Sequence, residues 1–93
     1  MVQSQAQVET QNASRYLVQL CKHFAHKISV EYDTRKGRAE FPFGLCMMEA
    51  EDDRLILRCE GADEAALDRV QDVLQRHLEG FAFRENPTIE WKR

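Results

Sequence analysis

The chain has 93 residues, 43% of them hydrophobic and 31% charged, with thirteen Lys and Arg against sixteen Asp and Glu, a net charge of −3 and a pI near 5.6. This length holds one core, so a single domain over residues 1–93 is expected, and the composition excludes a disordered chain. The acidic balance argues against a nucleic-acid partner, which needs clustered cations to neutralise phosphates.

The apolar runs are too short to span a bilayer, and Met1 to Gln5 lacks the basic start and apolar stretch of a signal peptide. The cytoplasm is therefore the expected location by default, with no membrane partner. Cys21, Cys46 and Cys59 are odd in number, widely spaced and without a C-x-x-C pair. They read as reduced thiols acting as small hydrophobes, and their spacing rules out a zinc knuckle.

In chain order, Gln3 to Thr10 alternates weakly, with Val2, Ala6 and Val8 apolar, and predicts a strand near a sheet edge. Thr10 or Asn12 can cap the helix that follows. That helix is predicted over Ala13 to Lys27, where Leu17, Leu20, Cys21, Phe24 and Ile28 recur at the spacing of one apolar face. Lys22, His23, His26 and Lys27 fall in its last turns, where positive charge complements the helix dipole.

The period then drops to two. Ile28, Val30 and Tyr32 point one way, and Ser29, Glu31 and Asp33 the other. Asp33 to Gly37 reads as a turn, with Gly37 supplying a positive φ. Arg38 to Phe43 is the returning strand, with Pro42 at an edge or at its end. Gly44 permits a tight reversal, and strands follow over Leu45 to Glu51 and Leu55 to Glu60, giving an antiparallel meander.

A second helix begins at Ala62 or Asp63, with Asp63 as cap. Leu67, Val70, Leu74, Leu78 and Phe81 form its inner face beside Ala66 and Val73, and Gly80, Phe81 and Phe83 close it. After Pro87, Thr88 to Trp91 alternates as a last short strand. The order β-α-β-β-β-β-α-β predicts an α+β two-layer sandwich, with two helices on one face of one antiparallel sheet and the other face open to water.

The chemically capable residues cluster on the first helix. At 100° per residue, Arg15, Gln19, Lys22 and His26 fall opposite Leu17, Phe24 and Ile28, and His23 lies about one-sixth of a turn from His26. His23 and His26 are then i, i+3 neighbours able to converge on one ligand. Arg15, Gln19, Lys22, His23 and His26 thus form a cationic face suited to a small anionic ligand or an acidic protein partner. The same two histidines are the weak candidates for a metal, or at lower odds a haem. Cys21 points away from His23 by roughly 200°, so it joins the core instead.

Elsewhere the plain readings prevail. His77, on the apolar side of the second helix, reads as packed and hydrogen-bonded. Met47 and Met48 lie on opposite sides of a strand, so one faces away from the helices. Glu31, Glu40, Glu49 and Glu51 fit a solvated sheet face, and Arg35-Lys36-x-Arg38 a solvated turn. No nucleophile elbow or phosphate loop is present, which argues against catalysis and predicts no cofactor.

Three stretches carry a family resemblance. They are Arg15-Tyr16-Leu17 with Gln19 to Lys27, Phe41-Pro42-Phe43-Gly44, and Arg76-His77-Leu78-Glu79 with Phe81-Ala82-Phe83-Arg84-Glu85. Over nearly its whole length the chain resembles the bacterial domain of unknown function 2218 family. The resemblance implies no mechanism; it implies a loose link to siderophore-interacting proteins and so to iron uptake. The element order also looks like the TATA-binding-protein-like fold, an analogy without a DNA-binding claim. The resulting expectation is a non-catalytic binding or accessory module, monomeric or homodimeric, acting through the cationic helix face or the open sheet. A metal- or haem-binding protein using His23 and His26 is the alternative.

Overall fold

A computed structural model describes residues 1–81 and 88–92. The elements run β1 (Val2–Glu9), α1 (Ala13–Phe24), β2 (Ser29–Tyr32), β3 (Lys36–Phe41), β4 (Gly44–Ala50), β5 (Arg54–Gly61), α2 (Glu64–Phe81) and β6 (Trp91–Lys92). The expected α+β order is the one observed. All pairings are antiparallel, in a six-stranded sheet of order β2-β3-β4-β5-β1-β6.

That order explains why α1 must cross the sheet. Four strand spacings of about 4.8 Å separate β1 from β2, roughly 19 Å, and twelve helical residues span about 18 Å. Accordingly α1 touches β2, β3, β4 and β5, while α2 covers β5, β4 and β1. Both helices lie on one face and leave the other to solvent.

Alternation along the strands sorts the two faces. Ala6, Val8, Leu55, Leu57, Cys59, Cys46, Met48 and Ala39 turn toward the helices and are buried. The inner faces expected for the helices meet them: Leu17, Leu20, Cys21 and Phe24 from α1, and Leu67, Val70, Leu74 and Leu78 from α2. At about 25 cal/mol per Å² of apolar surface, burying each large side chain contributes roughly 1.5–3 kcal/mol, so helix–sheet packing is the main stabilising contact of the fold.

Several local expectations shift. The first helix ends at Phe24 rather than Lys27, because its chain tightens: the Lys27 N–H donates to the Phe24 carbonyl at 3.0 Å, an i+3 closure, and the Ile28 N–H meets the same oxygen at 3.0 Å. Gly37 is not the turn residue. It lies in β3, in register with Tyr32 and Met48, and the turn is made by Asp33, whose Oδ1 accepts from the N–H groups of Arg35 and Lys36 at 2.7 and 2.8 Å. Glycine is required at 37 for close approach: a Cβ there would sit 2.7 Å from the Cys21 Sγ on α1. Gly44 likewise begins β4 opposite Gly61, and its bare Cα admits the Glu60 carbonyl and the Val70 Cγ2.

At the start of α1 the N-cap is Asn12, whose side chain makes no cap hydrogen bond. The Thr10 Oγ1 accepts from the N–H of Asn12 itself at 3.0 Å, so the side-chain cap expected from Thr10 or Asn12 is not formed. At α2 the Asp63 Oδ1 accepts from the Ala66 N–H at 2.8 Å, the expected cap. α2 runs through Gly80 to Phe81, so Gly80 does not close it; Phe83 and Pro87 lie outside the described residues. The last strand is the pair Trp91–Lys92 against Ala6 and Gln5, with Trp91 Nε1 donating to Gln75 Oε1 of α2 at 3.1 Å. β1 is thus next to an edge, covered over two residues. No helix among the described residues is long and apolar enough to cross a membrane.

Candidate functional site

Arg15, Gln19, Lys22, His23 and His26 are all exposed. The first four stand on the outer face of α1. His26 lies just past the helix end, in a turn whose N–H at His26 donates to the His23 carbonyl at 3.4 Å, an i+3 closure. Between Glu9 and Glu31 the sequence has no Asp or Glu, while it has Arg15, Lys22, His23, His26 and Lys27. Among the described residues, no carboxylate comes within ion-pair distance of Arg15, Lys22 or Lys27. The protein is acidic overall, yet this surface is uniformly cationic.

The open sheet face is charged in the opposite manner. Arg38 meets Glu40 at 3.3 Å, Arg58 meets Glu49 at 3.6 Å, and Arg54 meets Glu51. Arg35 binds the Ala50 carbonyl and Asp52, each at 3.2 Å, whereas Lys36 has no ion pair among the described residues. Met47 and Met48 divide as expected, with Met47 48% exposed and Met48 buried. A shallow depression of about 390 Å³ surrounds Met47, lined by Glu31, Lys36, Arg38, Ile56 and Arg58.

The sequence reading missed the residue that His23 meets. His77 is half-buried on α2, with Nδ1 2.6 Å from the Val73 carbonyl oxygen, the packed and hydrogen-bonded state expected for it. Its ring lies 4.6 Å from that of His23, centre to centre, with a tilt of 49°. Phe24 packs on both, at 5.9 Å from His23 and 5.1 Å from His77, and continues to Phe41 at 5.2 Å. Phe41 stacks on Phe43 at 5.4 Å, and the Arg69 guanidinium covers the Phe43 ring at 4.1 Å. The described parts of the three stretches that carry the family resemblance therefore meet, through Phe24, Phe41 and His77, at one seam between the end of α1, the β3–β4 turn and α2. Their separation of tens of residues hid this; only a helix crossing the whole sheet brings His23 to His77.

Electrostatics at the seam favour neutral imidazole. Desolvation, then the positive neighbours His77, Lys27 and His26, hold His23 below its ordinary value of 6.5. The thiols are inert by contrast. Burial pushes Cys21 up to about 11, and Cys46, facing Cys59 across β4 and β5, is raised further by burial and its thiol neighbours. Among the described residues, no group of three or more His, Cys, Asp or Glu is placed to hold a metal.

Comparison with curated proteins finds no match. Among solved structures, the NMR structure of PA4090 from Pseudomonas aeruginosa is similar, with a TM-score of 0.85 and 34% identity over 99% of this chain and 96% of that one. The profile of the family DUF2218, described as an uncharacterized protein conserved in bacteria, matches residues 5–92. With that match spanning nearly the whole sequence, the chain belongs to the DUF2218 family.

Proposed function

We propose that the chain is a non-catalytic accessory module that binds an acidic protein segment through the outer face of α1. The observation that carries this reading is the charge segregation: Arg15, Lys22 and Lys27 have no carboxylate within ion-pair distance among the described residues, whereas Arg35, Arg38, Arg54 and Arg58 on the sheet side each have one. A small molecule needs a concave site, and the depressions of about 390 and 800 Å³ lie near the sheet face and at the β1–β6 edge. A flat cationic helix suits a polypeptide instead. Gln19, His23 and His26 add hydrogen-bonding groups to the same surface. A cytoplasmic setting accords with three buried free thiols.

Titration with a fluorescent oligoglutamate peptide tests the reading. Wild type should bind at low salt and weaken as salt is added. Arg15→Glu with Lys22→Glu should lower affinity by about tenfold or more, equivalent to 1.4 kcal/mol. Equal binding by wild type and the double variant overturns it. The link to siderophore handling suggested by the resemblance stays part of this proposal: an acidic segment of an iron-uptake protein would be one such partner. Among the described residues the exposed large hydrophobics are Met1, Tyr32 and Met47, too few for an extended apolar patch, so a monomer suits the reading better than a sheet-to-sheet dimer. The alternative is a metal or haem held by His23 and His26, which stand three residues apart across the turn that ends α1.

A further inference from the structure

We propose that His23 and His77 form a two-imidazole site for a borderline divalent transition-metal ion, copper or zinc, at the seam of α1 and α2. The inference stands apart from the binding of an acidic segment, because it rests on the ring pair and not on the charge of α1.

The two rings come from different helices and lie 4.6 Å apart, centre to centre. Two imidazoles sharing one tetrahedral zinc at Zn–N bonds of about 2.0–2.1 Å have ring centres about 5 Å apart. His77 is already oriented. A carbonyl oxygen only accepts, so the 2.6 Å contact with Val73 places the ring proton on Nδ1 and leaves the Nε2 lone pair free. A ring N–H bonded to a backbone carbonyl is the support that metal-bound histidines use to fix tautomer and orientation.

The surroundings restrict the rings as well. Phe24 and Phe81 flank both, with Phe81 6.1 Å from His23 and 6.4 Å from His77. They wall the pair with apolar surface and supply no competing donor. With two donors from the described residues, the remaining coordination positions fall to water or an exogenous ligand, so the ion binds exchangeably. Copper is held more tightly than zinc, as the order of divalent affinities requires. Lys27 and His26, the other positive groups that face His23, oppose the ion and weaken the site further.

Copper(II) and zinc(II) titrated separately into untagged protein near neutral pH test the site. One ion per chain is expected, with nitrogen hyperfine structure from two imidazoles in the copper spectrum. His77→Phe and His23→Phe preserve aromatic packing against Phe24 and Phe81 but remove the donors, and each should weaken binding at least about tenfold. Circular dichroism and melting confirm that both variants fold. Three results overturn the proposal: no uptake of either ion at micromolar concentrations, unchanged binding in folded His77→Phe, or loss in His26→Ala with retention in His77→Phe.

Discussion

The open sheet face and the outer face of α1 are both charged and both face water, yet they are built on opposite plans. On the sheet, Arg38 and Arg58 stand beside Glu40 and Glu49 on the same or a neighbouring strand, and Arg54 meets Glu51 across the β4–β5 turn, so these cations are neutralised where they stand. On α1, every outward charge is positive and none has a carboxylate nearby among the described residues. Charge that is already paired supports the fold weakly and has little left for a ligand. Charge left unpaired contributes little to the fold and remains available for an encounter. Abundance of charge therefore does not by itself identify a binding surface; the two faces differ in how many of their charges have local partners.

Four measurements break or sharpen this contrast. The largest effect is expected where both faces share one support. Leu17→Ala in α1 or Leu74→Ala in α2 removes a fully buried side chain and should cost about 2–5 kcal/mol in urea unfolding. A loss well below that range would mean the helices are not anchored as described.

Next comes the tie between α1 and the sheet. Gly37→Ala places a methyl 2.7 Å from the Cys21 Sγ, and the thiol has no room to retreat because Cys21 is fully buried. Overpacking of this kind costs about 1–3 kcal/mol, and adding Cys21→Ala should recover part of it. A non-additive gain in the double variant is the signature; strict additivity removes the contact from the account.

The faces themselves differ by less. Arg58→Ala, which breaks the pair with Glu49, should lower stability by about 0.2–1 kcal/mol. Lys22→Ala should stay within about 0.5 kcal/mol of wild type, since alanine is the better helix former and no ion pair is lost. Oligoglutamate affinity should rank the two variants in the opposite order. If Lys22→Ala is the more destabilising and Arg58→Ala the more damaging to peptide binding, the two faces have been assigned the wrong way round.

The smallest effect is a pH dependence at the seam. His23 has a folded pKa below 6.5, so the unfolded chain binds the proton more readily there. Its contribution to stability is full above 6.5 and is lost as pH falls through the folded value. His77→Phe removes the largest of the charge interactions that lower His23, and its melting temperature should therefore drop less than that of wild type as pH is lowered from neutral through the mildly acidic range. An identical slope would show that the two imidazoles do not sense each other.

Much of this was legible because it depends on neighbours in sequence. The spacing of Leu17, Leu20, Cys21 and Phe24 fixes which side of α1 is buried, and strand alternation separates Met47 from Met48. Asp63 caps α2 through a contact three residues away. The misread glycine shows the limit: Gly37 beside Asp33 has the composition of a turn, but its real constraint is the Cys21 Sγ from another element. The end of α1 was misplaced for a related reason, since His26 and Lys27 are acceptable helix residues, and the chain leaves the helix only because Ser29 must enter the sheet opposite Glu40.

The sequence by itself determined the element order, the core faces and the cationic side of the first helix, because periodicity and composition act within a few residues. Only the tertiary structure decided which charges are neutralised and which histidines meet. Strand order sets both: placing β2 four strands from β1 sends α1 across the sheet, and that crossing brings His23 against His77 while leaving Arg15 and Lys22 facing water.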